Sequence, residues 1–294
     1  MGRTVWYPGH MARGERKLAE LAEKLDLIIE VRDARAPFST SSPFAAELSR
    51  LRPVLIVLSK KDLADPDRTR VWLEELSRPE RGVWAFDLRR GVEPLRRGLA
   101  RFRPPHRELR LAVAGIPNVG KSMLLNALVG KSAARVGGIP GVTREVSWYK
   151  GSGFLVVDSP GILDPHAEPG AHRVLSWLGC AKAEVLGGYE AAALELIAFL
   201  RARGLWETVA APWGLGETGP SEHSEETLSR VGRRLGCLVA GGAVNLELTG
   251  RKLMDSFAGG KLPPVTLELP GEPLCPRAGA DAGRKGPAPA PGLP

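Results

Sequence analysis

Residues 108–122 read E-L-R-L-A-V-A-G-I-P-N-V-G-K-S. An apolar run leads into Gly115, and Gly115 to Ser122 match G-x-x-x-x-G-K-[S/T] in full. A helical pattern, K-S-M-L-L-N-A-L-V-G, continues over 121–130 and closes on Gly130. A strand before the glycines and a helix after them is the context that makes this motif a phosphate cradle. Two glycines let backbone N–H groups converge on phosphate oxygens. The helix beginning near Lys121 adds the partial positive charge of its N-terminus. Lys121 is positioned to reach the β- and γ-phosphates, and the Ser122 hydroxyl to bind Mg²⁺. Residues Asn118, Val119, Gly120, Lys121 and Ser122 form the expected nucleotide-contacting stretch.

Downstream, F-L-V-V-D-S-P-G (154–161) supplies what a phosphate loop lacks. Four apolar residues place Asp158 at a strand end on the metal side. Gly161 can offer its backbone N–H to a γ-phosphate. Between the two motifs lies G-G-I-P-G-V-T-R-E (137–145), a Gly/Pro-rich loop with one threonine. It suits a switch segment in which the Thr143 hydroxyl completes the Mg²⁺ shell and withdraws after hydrolysis. The expected metal set is Ser122, Thr143 and Asp158.

Upstream, V-L-S-K-K-D-L-A-D (57–65) closely resembles the Asn-Lys-x-Asp signature that reads guanine, with Ser59 in place of asparagine. It follows an apolar strand, where a base-reading loop belongs. Asp62 can accept from guanine N1–H and N2–H₂, a donor pair that adenine lacks. The Lys60 stem can pack over the base, and the Ser59 hydroxyl can hold the loop. In chain order this signature precedes the phosphate loop. A circular permutation gives that order, because a sheet depends on spatial neighbours and not on where the chain is cut. The Arg-rich stretch 89–107, ending in F-R-P-P-H, is the expected new joint.

The pattern predicts an α/β fold: a mainly parallel sheet with helices on both faces. Strands are expected at 27–31, 53–58, 83–86, 108–115, 146–150 and 153–158. Helices are expected at 12–25, 67–77, 92–102 and 121–130. Beyond about residue 170 the strand signal fades. Helices at 171–178, 183–203, 224–236 and 246–258 make a small second domain. The expected division is 1–170, 171–269, and a tail over 270–294 that is too rich in Pro, Gly and Ala to bury a core.

The chain has 294 residues, 43% apolar and 25% charged, with a formal net charge of +8. Residues 1–110 hold 23 Lys and Arg against 16 Asp and Glu, whereas 183–260 hold 7 against 10. A basic front half suggests a polyanionic partner such as nucleic acid. No uninterrupted apolar run is long enough to span a membrane. The first residues, M-G-R-T-V-W-Y-P-G-H-M, lack the apolar centre of a signal peptide. Cys180, Cys237 and Cys275 have neither metal nor redox spacing and fit a reducing cytosol.

Taken together, W-Y-P-G-H-M (6–11), D-A-R-x-P (33–37), S-K-K-D-L (59–63), G-I-P-N-V-G-K-S (115–122), G-V-T-R-E (141–145) and D-S-P-G-I-L (158–163) resemble the circularly permuted GTPases of ribosome assembly. G-C-L-V-A-G-G (236–242) is similar to that family as well. The likeness spans residues 5–268. It implies GTP and GDP as ligands, Mg²⁺, and hydrolysis coupled to maturation of the large ribosomal subunit, with rRNA as partner. It further implies a cytoplasmic protein, expected as a monomer with no membrane partner. Ile162 stands where many GTPases carry a water-orienting glutamine, and it cannot polarise water. His10, beside Lys121 and Thr143, becomes the expected catalytic group, its imidazole orienting the water. Asn118 lies where related GTPases hold K⁺. The base-contacting Ser-Ala loop should fall near Ala85-Phe86-Asp87, where no clear match stands. Two alternatives stay open: a nucleotide-gated RNA-binding scaffold with negligible turnover, and an assembly GTPase for another ribonucleoprotein, including an organellar one.

Overall fold

The computed structural model describes residues 22–130, 135–136, 148–158, 169–215 and 223–272. Among these described residues seven strands form one sheet: β1 (Leu27–Asp33), β2 (Val54–Ser59), β3 (Val83–Ala85), β4 (Leu109–Ala114), β5 (Arg135–Val136), β6 (Trp148–Lys150) and β7 (Phe154–Asp158). Their spatial order is β3-β2-β1-β4-β7-β6-β5. The first three strands build one half of the sheet and the last four the other. They join where β1 pairs in parallel with β4, Ile29 opposite Val113. β2 and β3 extend outward from β1 in parallel, and β7 flanks β4 in parallel. β6 and β5 complete the edge as antiparallel strands. The half of the sheet that carries Ser59–Asp62 is therefore threaded before the half that carries Gly115–Ser122.

The strands are apolar on both faces because helices cover both. On one face, Ile29, Val31, Leu111, Val113 and Val156 pack with Leu95 and Leu99 of α3 (Glu93–Leu99) and Leu124 and Leu128 of α4 (Lys121–Val129). On the other, Ile28, Ala112 and Val157 meet Phe44 and Leu48 of α1 (Pro43–Leu48). Ile56 and Leu58 there meet Trp72 of α2 (Pro66–Leu76). α1 and α2 start alike: Ser42 and Asp65 cap the first turn by accepting from Ala45 N and Arg68 N, and a proline fills the first helical position.

The C-terminal region is helical: α5 (Pro169–Trp177), α6 (Tyr189–Ala202), α7 (Trp206–Ala210), α8 (Ser224–Arg234) and α9 (Leu246–Ala258). Its centre is Trp177, buried against Phe199 with ring centroids 5.0 Å apart and Nε1 donating to Ala192 O. The apolar cluster on the α3–α4 face runs without a break into these helices. After α9 the chain doubles back as an extended strap. Val265 N donates to Leu63 O, and Leu267 N to Arg35 O.

The pattern reading needs correction in four places. Pro43–Leu48 is a helix that escaped notice because six residues carry too little periodicity to register. The stretch expected as one helix over 183–203 is a 3₁₀ turn, Ala183–Leu186, followed by α6. Gly187 and Gly188, with φ of 89° and 110°, break it. The helix expected over 92–102 tightens into a 3₁₀ turn at Ala100–Phe102. Trp206–Ala210 adds an unforeseen short helix. The expected helix over 12–25 lies almost entirely outside the described residues.

Candidate nucleotide site

The phosphate loop lies between β4 and α4, at the C-terminal edge of the sheet. Gly115 has φ of 147°, and a Cβ there would stand 2.6 Å from the Val31 carbonyl oxygen. Only glycine lets β4 pass this close to β1 before the loop turns. Gly120, at φ 97°, precedes the first residue of α4. Asn118 takes a left-handed conformation, φ 60°. Lys121 is buried at the helix start, and its Nζ donates to Ile116 O at 2.8 Å, inside the loop it closes. Ser122 follows it in the first turn and is exposed. The register Val113 opposite Asp158 brings the end of β7 beside the end of β4, which places residue 158 on the phosphate-loop side of the sheet.

The S-K-K-D segment closes on this loop from the neighbouring strands. Ser59 ends β2 fully buried, and its hydroxyl lies 2.5 Å from Val119 O and 3.0 Å from Arg32 O. It ties the S-K-K-D segment to the phosphate loop. Lys60 sits at φ 55°, where the chain turns sharply into the 3₁₀ turn Lys61–Leu63. Lys61 N donates to Phe86 O, so the loop after β3 lies directly beside the segment. From that loop Arg89 reaches back to Asp62 Oδ2 at 2.6 Å while also holding Asp87. Nothing in the sequence pattern pointed to Arg89; only the folded sheet brings its loop beside Asp62.

Below Lys60 lies Asp33, at the end of β1 and fully buried. Its carboxylate accepts Lys60 Nζ at 2.9 Å and the Arg35 guanidinium at 2.8 and 3.0 Å. Burial alone would push this carboxyl up, but the charge and hydrogen bonds of Arg35 and Lys60 hold it down at about 2. Arg35 donates onward to the Phe257 carbonyl at the end of α9. Lys60 and the helical region are thus joined through one buried carboxylate.

Three further contacts make the site a junction. Asn118 Nδ2 donates to Gly179 O, just past α5, at 2.7 Å. That leaves its carbonyl oxygen as the atom able to face a cation. Gly260 packs against the Leu63 side chain so closely that a Cβ would meet it at 2.3 Å. Glu268, on the strap, is buried and accepts from Phe38 N, Ser39 N and Ser39 Oγ. Burial pushes its carboxyl up to about 7 against those hydrogen bonds. Its sequence signal was slight: one acid in the otherwise apolar run V-T-L-E-L-P. Cys180 is buried within electrostatic reach of Lys60 and Lys121, and burial pushes its thiol up to about 12.

The structure therefore brings together Ser59, Lys60, Asp62, Asn118, Val119, Gly120, Lys121 and Ser122. His10, Thr143 and Gly161 lie outside the described residues, and of Asp158 only the strand position is described. The fit to a nucleotide is direct: a glycine-gated loop, a helix N-terminus aimed along it, a buried lysine and an adjacent hydroxyl.

Known proteins agree with this geometry. The 50S ribosome-binding GTPase family matches residues 110–187. Ribosome biogenesis GTPase A of Bacillus cereus is 32% identical over 285 residues, covering 91% of this chain and 94% of that protein. The chain belongs to the ribosome biogenesis GTPase A family. Its counterpart in Thermotoga maritima is 33% identical, covering 90% of this chain and 94% of its own. A GDP-bound structure of YlqF superposes with a TM-score of 0.64 at 25% identity, covering 87% of this chain and all of that one. As a member of this family the chain is a guanine-nucleotide-binding GTPase with a role in ribosome assembly, and Mg²⁺ is the metal such sites use. Among the described residues no helix is long and apolar enough to cross a membrane.

Proposed function

We infer that this GTPase binds the immature large ribosomal subunit in its GTP state, contacts rRNA, and is released when GTP is hydrolysed. The observation that carries the reading is the junction at Ser59–Leu63. One segment touches the phosphate loop through Ser59, carries Asp62, and holds the end of α9 and the strap through Leu63. A change in the phosphate loop has a short packed route to the helical region. That is what a nucleotide-controlled grip on a large partner requires. The 50S ribosome-binding family match supports that partner.

In this reading Asp62 selects guanine, Lys60 covers the base, and the nucleotide lies along Asn118 to Ser122. Ser122, Thr143 and Asp158 would hold Mg²⁺, which would supply positive charge against the phosphates. Lys121 stabilises the transferred phosphoryl group, Gly161 marks the γ-phosphate, and His10 orients the attacking water. The Asn118 carbonyl oxygen would hold K⁺, whose charge would stand in for that of an arginine finger. The protein works in the cytoplasm as a monomer, with domains over 1–170 and 171–269 and a tail beyond.

Multiple-turnover GTP hydrolysis with and without purified large subunits tests this. Turnover is expected to rise on subunits, and to be faster in potassium than in sodium buffer. Subunits without effect would remove the partner. Equal rates in the two salts would remove the cation.

A further inference from the structure

At the opposite end of the sheet from the nucleotide site, the chain forms a cleft of about 940 Å³. It opens where β2 and β3 begin, between the turns at 49–54 and 77–82 and the 3₁₀ turn that ends in Phe102. Five arginines line it (Arg50, Arg52, Arg78, Arg81 and Arg101) against a single acid, Glu80. Val54 opens β2 at the cleft and Ser59 closes it at the nucleotide loop, which puts roughly 17 Å between the two sites along that strand.

We propose that this cleft is a second binding site of the protein, one that takes the phosphodiester backbone of RNA. The arginines are held by neutral acceptors, so their charge is largely uncompensated. Arg52 donates to the carbonyls of Ala22 and Glu23, and Arg101 to that of Gly98 while lying 5.8 Å over the Phe102 ring. Arg78 donates to the carbonyls of Glu75 and Ser77, with only a long, exposed ion pair to Glu75 at 3.9 Å. Arg50 and Arg81 make no side-chain hydrogen bond or ion pair within the described residues. Arg78 and Arg81 also stand opposite each other in an antiparallel bridge. Like charges directly opposed across such a pair are destabilising, and an anion bound between them would relieve that repulsion. Leu51, 57% exposed at the rim, and Phe102 give apolar surface among the cations, as RNA sites often do. The helical region is net acidic over 183–260, whereas the cleft is lined by five arginines and one acid.

The choice of RNA over another polyanion rests on the ribosomal reading above. The site itself rests only on the cleft. Because it lies away from the phosphate loop, its contribution to binding is the same with GTP or GDP. It supplies a constant electrostatic hold, and the other end of the sheet supplies the switch.

The double variant Arg50→Glu/Arg81→Glu tests it, both side chains being unpartnered. Its control is Arg70→Glu/Arg251→Glu, with the same charge change on other exposed surfaces. Binding to a fluorescent single-stranded oligouridylate is followed by anisotropy across a salt titration. The cleft variant is expected to bind at least about tenfold more weakly. Its salt slope is expected to fall by about 1.4, two lost contacts at about 0.7 each. The control and the affinity for a fluorescent GDP analogue should not change. Wild-type RNA affinity in the cleft variant, an equal loss in the control, or equally tight polyglutamate binding in the cleft would overturn the proposal. If the reversal unfolds the chain, Arg50→Gln/Arg81→Gln gives the same comparison with a smaller charge change. Subunit pelleting separates the two claims. Wild type that binds oligouridylate through the cleft but not subunits leaves the cleft standing and removes the ribosomal partner. Wild type that pellets while the cleft variant binds RNA normally does the reverse.

Discussion

At the scale of single residues, the proposed specificity rests on Asp62, and loop geometry turns on Gly115. Asp62→Asn replaces a double acceptor with a side chain that also donates, which suits the 2-oxo group of xanthine. GTP affinity should fall at least about tenfold, ~1.4 kcal/mol, and XTP should bind better than GTP. Competition binding of GTP, ATP and XTP checks this, and an unchanged GTP preference would contradict the role. Gly115→Ala forces a Cβ against the Val31 carbonyl at a φ that alanine rarely adopts. It should abolish detectable nucleotide binding and lower the melting temperature. The strand–loop–helix geometry at Gly115 was legible, because a phosphate loop is a local pattern. What Ser59 does was half legible. Its hydroxyl was expected to hold the segment, but the acceptors, Val119 O and Arg32 O, come from chain distant in sequence.

At the scale of elements, the ends of β1 and β2, α9 and the strap act as one unit. Asp33 joins β1 to Lys60 and, through Arg35, to α9. Asp33→Asn leaves Arg35 buried beside a neutral partner, a loss of about 3 kcal/mol by denaturant unfolding. Lys60 also loses its anchor, so GTP affinity should weaken alongside. The strap carries a pH signature. Glu268 has its ordinary value near 4.5 raised to about 7 in the fold, so the folded state binds the extra proton between these limits. Stability therefore falls as pH rises through that window. Glu268→Gln keeps an acceptor and removes the proton. Thermal melts from pH 5 to 8 should show the wild type losing stability relative to this variant; parallel curves would contradict it. These couplings were not legible. Asp33 and Arg35 stood out only as part of a family motif, and Glu268 did not stand out. Arg35 and Glu268 find their partners more than 200 residues away in the chain.

At the scale of the whole molecule, the order of motifs already implied the permuted sheet. The observed strand order follows from it: β1 and β4 are neighbours although some 75 residues of chain separate them. Helices on both faces followed from strands that are apolar throughout. The return of residues 262–269 onto the sheet did not follow, since an extended segment has no periodicity of its own and its pairing is set by packing. That return makes the site a junction of both regions, and a junction is what a GTP-dependent grip on a ribosomal subunit needs. Co-sedimentation with large ribosomal subunits in GTP, GDP and a non-hydrolysable GTP analogue measures that grip most directly. The account predicts strong pelleting with the analogue and little with GDP. Pelleting that is equal in all three states, or absent from all, would contradict it.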